Sequence, residues 1–126
     1  MIRRTISTAD APGAIGPYSQ GVRAGGLFYT SGQLPLTPSG DLVSDDVGRA
    51  ARQALENVRA ILAAGGASLK DVVKVTVYLT DMAQFAAVNE VYAQFFSEPY
   101  PARTCIAVAG LPRGALLEIE AQAVVQ

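Results

Sequence analysis

Val72-Val73-Lys74-Val75-Thr76-Val77-Tyr78-Leu79-Thr80 sets Val73, Val75, Val77 and Leu79 against Lys74, Thr76, Tyr78 and Thr80. A period of two is that of a strand with one buried face. Past Thr80 the period changes. Asp81, with Gln84 behind it, has the form of a capping box. From there Phe85, Val88, Val91, Tyr92, Phe95 and Phe96 recur at helical spacing, and Pro99 and Pro101 end the helix near Phe96.

Upstream, residues 46–64 read as an amphipathic helix. Val47, Ala51, Ala54, Leu55, Val58, Ile61 and Leu62 make its stripe, and Gly65-Gly66 its stop. Before it, residues 19–23 and 27–31 are two short strands around Ala24-Gly25-Gly26, where glycine permits a tight hairpin. Downstream, strands at 104–109 and 116–125 flank Gly110-Leu111-Pro112-Arg113-Gly114. In the last, Leu117, Ile119, Ala121, Ala123 and Val125 face one way, and Glu118, Glu120 and Gln122 the other. The order ββ-α-β-α-ββ predicts an α+β fold, a mainly antiparallel sheet with two helices packed on one face. The second face, with Tyr78, Glu118, Glu120 and Gln122, is either open to water or covered by identical chains; the pattern leaves both open.

At 126 residues, half of them hydrophobic and 17% charged, the chain is expected to form one folded domain over residues 1–126. Apolar runs such as 105–109 are too short to span a bilayer. The basic start Met1-Ile2-Arg3-Arg4 leads into no apolar stretch, so no signal peptide is indicated and the expected location is cytoplasmic. Ten basic against eleven acidic residues, with no basic run, give nucleic-acid binding no support. The chain has no histidine and one cysteine. That excludes Ser-His-Asp and Cys-His machinery, histidine-containing zinc sites, thiolate clusters and an internal disulfide. The expected chemistry uses no metal or cofactor.

The chemistry-bearing residues are Arg103, in Pro101-Ala102-Arg103-Thr104-Cys105, and Glu118, in Glu118-Ile119-Glu120. A guanidinium matches a carboxylate through two parallel hydrogen bonds. A carboxylate beside it can order a water or move a proton. The pair suggests a small anionic substrate. Read without further context, an ion pair between Arg103 and Glu118 or Glu120 across adjacent strands is the stronger reading. Cys105 reads as a small buried apolar residue with no base to activate it. Tyr18 reads as a turn residue, Asn89 as a helix side chain with a local bond, and Ser31-Gly32 as a strand end.

A set of segments in order alters those odds. Ala14-Ile15-Gly16-Pro17-Tyr18-Ser19-Gln20, Thr30-Ser31-Gly32-Gln33, Gln53-Ala54-Leu55-Glu56-Asn57-Val58, Val88-Asn89, Phe95-Phe96, Pro101-Ala102-Arg103-Thr104-Cys105 and Leu117-Glu118-Ile119-Glu120-Ala121 together resemble the RidA (YjgF) family of enamine/imine deaminases along essentially the whole chain. The resemblance implies a chorismate-mutase-like protomer, assembled as a homotrimer with clefts between subunits. It implies hydrolysis of 2-imino acids and their enamine tautomers, such as 2-aminoacrylate, to 2-keto acids and ammonia. On its pattern Arg103 binds the substrate carboxylate and Glu118 positions water, while Tyr18, Ser31, Gly32, Asn89 and Cys105 fall on cleft positions. Thr104 stands where serine is common, and the 97–100 approach is short, which bears on substrate preference. Rival readings are a keto-acid-binding regulatory module or a chaperone-like interaction protein using the same clefts, and a ribonuclease role reported for some family members.

Overall fold

The computed structural model describes residues 2–126, so Met1 of the basic start lies outside the described residues. Strands β1 (Arg3–Ile6), β2 (Gly21–Ala24) and β3 (Leu27–Thr30) precede helix α1 (Val47–Ala64). Strand β4 (Val72–Leu79), helix α2 (Phe85–Phe95), and strands β5 (Ala102–Ala107) and β6 (Leu117–Val124) complete the order. The strands form one sheet in the order β1-β2-β3-β6-β4-β5. β4 and β5 run parallel, joined through α2; the other pairs are antiparallel. The α+β architecture, largely antiparallel with helices on one face, is as expected.

That face holds the core. Val75, Val77 and Leu79 from β4, Leu117, Ile119, Ala121 and Ala123 from β6, and Phe28 from β3 bury against Leu55, Val58, Ile61 and Leu62 of α1. Each large side chain among them contributes about 1.5–3 kcal/mol by leaving water. α1 starts where Asp46 accepts a hydrogen bond from the Arg49 amide at 2.9 Å. It ends at Gly65, which lies against Phe28; a Cβ there would stand 2.2 Å from the ring. Glycine therefore sets how closely the helix end sits on the sheet. Among the described residues, no helix is long and apolar enough to cross a membrane.

Three details depart from the sequence reading. β1 is an additional edge strand: of Arg3, Arg4, Thr5 and Ile6 only Ile6 is buried, so it carries no alternation to detect. A register shift between Val72 and Lys74 turns Val72 into the core and leaves Val73 49% exposed, so the buried set is Val72, Val75, Val77 and Leu79. Asp81 and Gln84 form no reciprocal box. Asp81 accepts from the Ala83 amide, a short 3₁₀ turn spans Met82–Gln84, and the Gln84 Oε1 is buried without a partner among the described residues. The reciprocal arrangement occurs instead at Ser68 and Asp71.

The outer face carries Lys74, Thr76 and Tyr78 of β4 with Glu118, Glu120 and Gln122 of β6. Large apolar side chains are exposed around them: Leu27 (47%), Tyr29 (48%), Ile106 (42%) and Val124 (46%).

Candidate active site

Arg103 lies inside β5, in register with Val75 of β4, and so shares the helix side of the sheet. Its Nη1 donates to Asn89 Oδ1 at 2.7 Å. Its guanidinium carbon lies 4.7 Å from the Tyr92 ring centroid and 5.3 Å from that of Phe85. Asn89, Tyr92 and Arg103, with Tyr100 and Pro101, border a cleft of about 350 Å³. Cys105 lies on the same side, half-buried against the core. Burial pushes its thiol up, partly offset by Arg103, so it is held as a neutral thiol.

Glu118 is on the other face, in β6, paired in register with Tyr78. Just past β3, Gln33 and Ile119 exchange amide-to-carbonyl bonds of 2.7 and 3.0 Å. That bridge draws residues 31–33 onto β6, and Gly32 meets the Glu118 side chain: a Cβ there would be 2.8 Å from the carboxyl carbon. The Ser31 hydroxyl donates to Ser19 O at 2.5 Å, holding the segment that carries Tyr18. Buried Gln20 ties that segment down further. Its Oε1 accepts from Thr8 N at 2.6 Å, and its Nε2 donates to Thr8 O, Ala11 O and Pro12 O at 3.0, 3.3 and 2.8 Å. Asn57 of α1 donates to Leu34 O and Leu36 O, fixing the opposite wall. The result is a cleft of about 500 Å³ lined by Ile15, Tyr18, Ser31, Gly32, Arg113 and Glu118, among others.

Burial, reinforced by Glu120, pushes the Glu118 carboxyl above the usual carboxylate range. Glu120 itself accepts a hydrogen bond from the Tyr78 hydroxyl. That bond, with burial and the two nearby carboxylates, raises the Tyr78 phenol to about 12.

Within one chain, then, the predicted residues divide. Asn89, Arg103 and Cys105 lie on the helix side; Tyr18, Ser31, Gly32 and Glu118 border the other cleft. β4 stands between β5 and β6, so the adjacent-strand pair of Arg103 with Glu118 or Glu120 does not form. Among the described residues the ion pairs are Arg49–Asp45 and Arg59–Glu56, and Arg103 has no carboxylate partner. Another cleft, of about 530 Å³ beside Ala63, Ala67, Phe96 and Pro99, contains none of these residues. Among the described residues no group of three or more Cys, Asp or Glu side chains is gathered to hold a metal ion.

The family model described as endoribonuclease L-PSP matches residues 8–125. The crystal structure of RidA from the Antarctic bacterium Psychrobacter is 46% identical, with a TM-score of 0.93, covering 97% of this chain and 99% of that one. The chain belongs to the RidA (YjgF) family. Another member, the human 2-iminobutanoate/2-iminopropanoate deaminase, is 52% identical over 98% of this chain and 91% of its own length. Escherichia coli TdcF, solved with bound serine, is 51% identical, with a TM-score of 0.93, covering 98% of this chain and 99% of that one.

The sequence reading of this RidA-family chain missed Phe85 and Tyr92, which touch Arg103, because their helical spacing marked them as core. It read Glu120 as a residue of the second face and a candidate partner of Arg103, and did not connect it with Tyr78; that connection depends on strand register. Arg113 was visible only as a loop residue. Its backbone adopts φ 61°, and its Nη1 donates to Gly40 O at 3.1 Å, bringing it to the rim of the Glu118 cleft.

Proposed function

We propose that the chain is an enamine/imine deaminase of the cytoplasm, converting small 2-imino acids such as 2-aminoacrylate to 2-keto acids and ammonia in clefts between subunits of a homotrimer. The observation that carries this reading is Arg103, a guanidinium with no carboxylate partner among the described residues, in a fold whose relatives are named as deaminases. Its separation from Glu118 by the sheet supports a cleft completed by a second copy, Arg103 from one chain and Glu118 from the next. The exposed Leu27, Tyr29, Ile106 and Val124 around the Glu118 face support the same assembly, since such surface is usually covered.

The chemistry is hydrolysis. Arg103 binds the substrate carboxylate through two hydrogen bonds, leaving the C=N carbon beside Glu118. Glu118 accepts a proton from water as the oxygen adds to that carbon, then returns it to nitrogen. The resulting carbinolamine gives its hydroxyl proton to the Glu118 carboxylate, which passes it to the nitrogen; the C–N bond breaks, ammonia leaves and the carbon becomes the ketone. Burial and Glu120 raise this carboxyl's affinity for protons, which makes it a better base toward water than an ordinary carboxylate. An iminium carbon is electrophilic enough to need no covalent nucleophile, so placement contributes most of what is required.

The test is pyruvate release from enzymatically generated 2-aminoacrylate. The wild-type chain accelerates it over the spontaneous rate, and Arg103→Ala does not. No acceleration by wild type, with saturable pyruvate binding retained, transfers the reading to a keto-acid-binding module. RNA degradation that persists through further purification and is lost in Glu118→Gln makes the ribonuclease reading the better one.

A further inference from the structure

Three side chains of α2 converge on Arg103, and none of them is charged. Phe85, Asn89 and Tyr92 are spaced to project from one side of the helix. Asn89 takes one guanidinium nitrogen, Nη1, while the rings of Phe85 and Tyr92 lie 5.3 and 4.7 Å from its carbon. Tyr92 is itself fixed: it is 6% exposed, and its ring centroid lies 4.6 Å from that of Phe96. Its hydroxyl is buried with no hydrogen-bond partner among the described residues, so whatever Tyr92 does for Arg103 it does with its ring.

The choice of neutral partners has a consequence. A carboxylate would hold the guanidinium more tightly but cancel its charge, and a substrate carboxylate would then have to displace it. A neutral amide oxygen and two π faces favour the cation while leaving its charge available. They also leave a particular edge. Among the described residues Nε and Nη2 donate to nothing, and those two N–H groups together form one of the forked edges by which arginine binds a carboxylate.

We infer that Phe85, Asn89 and Tyr92 are positioning residues that orient Arg103, with Asn89 acting on the guanidinium rather than on substrate. This rests on reading Arg103 as the carboxylate anchor. The carboxylate does not change during hydrolysis, so misaligning Arg103 weakens ground state and transition state alike, and KM moves while kcat holds.

The experiment uses the full chain with Tyr92→Leu, Tyr92→Phe and Asn89→Asp. It measures steady-state deamination of 2-aminoacrylate, pyruvate affinity by calorimetry, and the NMR order parameter of the Arg103 Nε–H. Tyr92→Leu is expected to raise KM and weaken pyruvate binding on the order of 2–30-fold, with kcat nearly unchanged and the Nε–H more mobile. Tyr92→Phe retains wild-type values. Asn89→Asp keeps the Nε–H ordered yet weakens pyruvate binding, because an internal carboxylate competes. If Tyr92→Leu does not fold, Phe85→Leu, at a half-buried position, replaces it. Unchanged KM and Nε–H order in the leucine variant overturn the inference, as does equal damage from Tyr92→Phe. Should wild type neither bind pyruvate nor hydrolyse imine, the deaminase reading fails, and the Nε–H measurement alone decides whether the three residues order Arg103.

Discussion

Arg103 and Glu118 are held in opposite ways. Arg103 is held by side chains: one amide and two rings on a neighbouring helix, all within a short stretch of sequence. Glu118 is held by backbone: a bridge between Gln33 and Ile119, and a glycine pressed against its carboxyl group. The arginine's surroundings tolerate exchange of one ring for another, because the attraction acts through a face. The glutamate's surroundings are tight on the Gly32 side, where an added Cβ would stand 2.8 Å from the carboxyl carbon and the side chain would have to swing away from its place. A group that only grips can be approximately placed; one that transfers a proton requires closer placement.

The largest expected effect tests whether the two halves belong to one site. Arg103→Ala and Glu118→Gln should each lower kcat/KM on the order of 10²–10⁴-fold as pure proteins. Mixed by co-refolding in equal amounts, they should recover about a quarter of wild-type activity, the share of interfaces at which an intact Arg103 meets an intact Glu118 in a random cyclic assembly. Absence of recovery, with mixed oligomers demonstrated by mass spectrometry, would mean that the halves do not meet between chains.

A second effect sharpens the contrast between grip and placement. Gly32→Ala drives a methyl group into the Glu118 carboxyl and should cost on the order of 10–100-fold in kcat, with KM little altered. A variant that loses KM and keeps kcat would place the segment in binding rather than in catalysis.

The smallest effect concerns stability. The Glu118 carboxyl holds its proton more tightly in the folded chain than in the unfolded one, so ionising it at neutral pH opposes folding. Glu118→Gln should therefore stabilise the protein at pH 7. Water at the cleft screens the effect, which should stay under about 1 kcal/mol. The advantage should shrink as pH falls through the raised value and vanish below the ordinary carboxylate range, where the native glutamate is protonated in both states. Urea denaturation at pH 7 and pH 4 reads the difference; equal stability at both would show that the raised affinity for protons is absent.

The sequence disclosed those parts in which periodicity and burial coincide. α1, β6 and most of β4 carry unbroken patterns, and the structure matches them. The register shift at Val72–Lys74 was hidden because valine occupies both candidate positions, so the pattern reads equally well either way. β1 was hidden because an exposed edge strand needs no apolar alternation. The site residues were legible as residue types in the family's order, but their arrangement was not. That Arg103 and Glu118 face opposite sides depends on register, Arg103 lying opposite inward Val75 and Glu118 opposite outward Tyr78, and that they are not on adjacent strands depends on β4 lying between β5 and β6. No local spacing records it. The Arg103 surroundings were concealed differently: Phe85 and Tyr92 fit the helix's apolar stripe so well that nothing marked a second role.

Gln20 has a consequence in time rather than in space. Its nitrogen faces three carbonyl oxygens and its oxygen faces one N–H, an arrangement that only an uncharged amide satisfies. Loss of that nitrogen by deamidation would leave an oxygen against three others and release the loop that carries Tyr18. The chemical ageing of this loop thus passes through one glutamine, to which water has little access at 4% exposure.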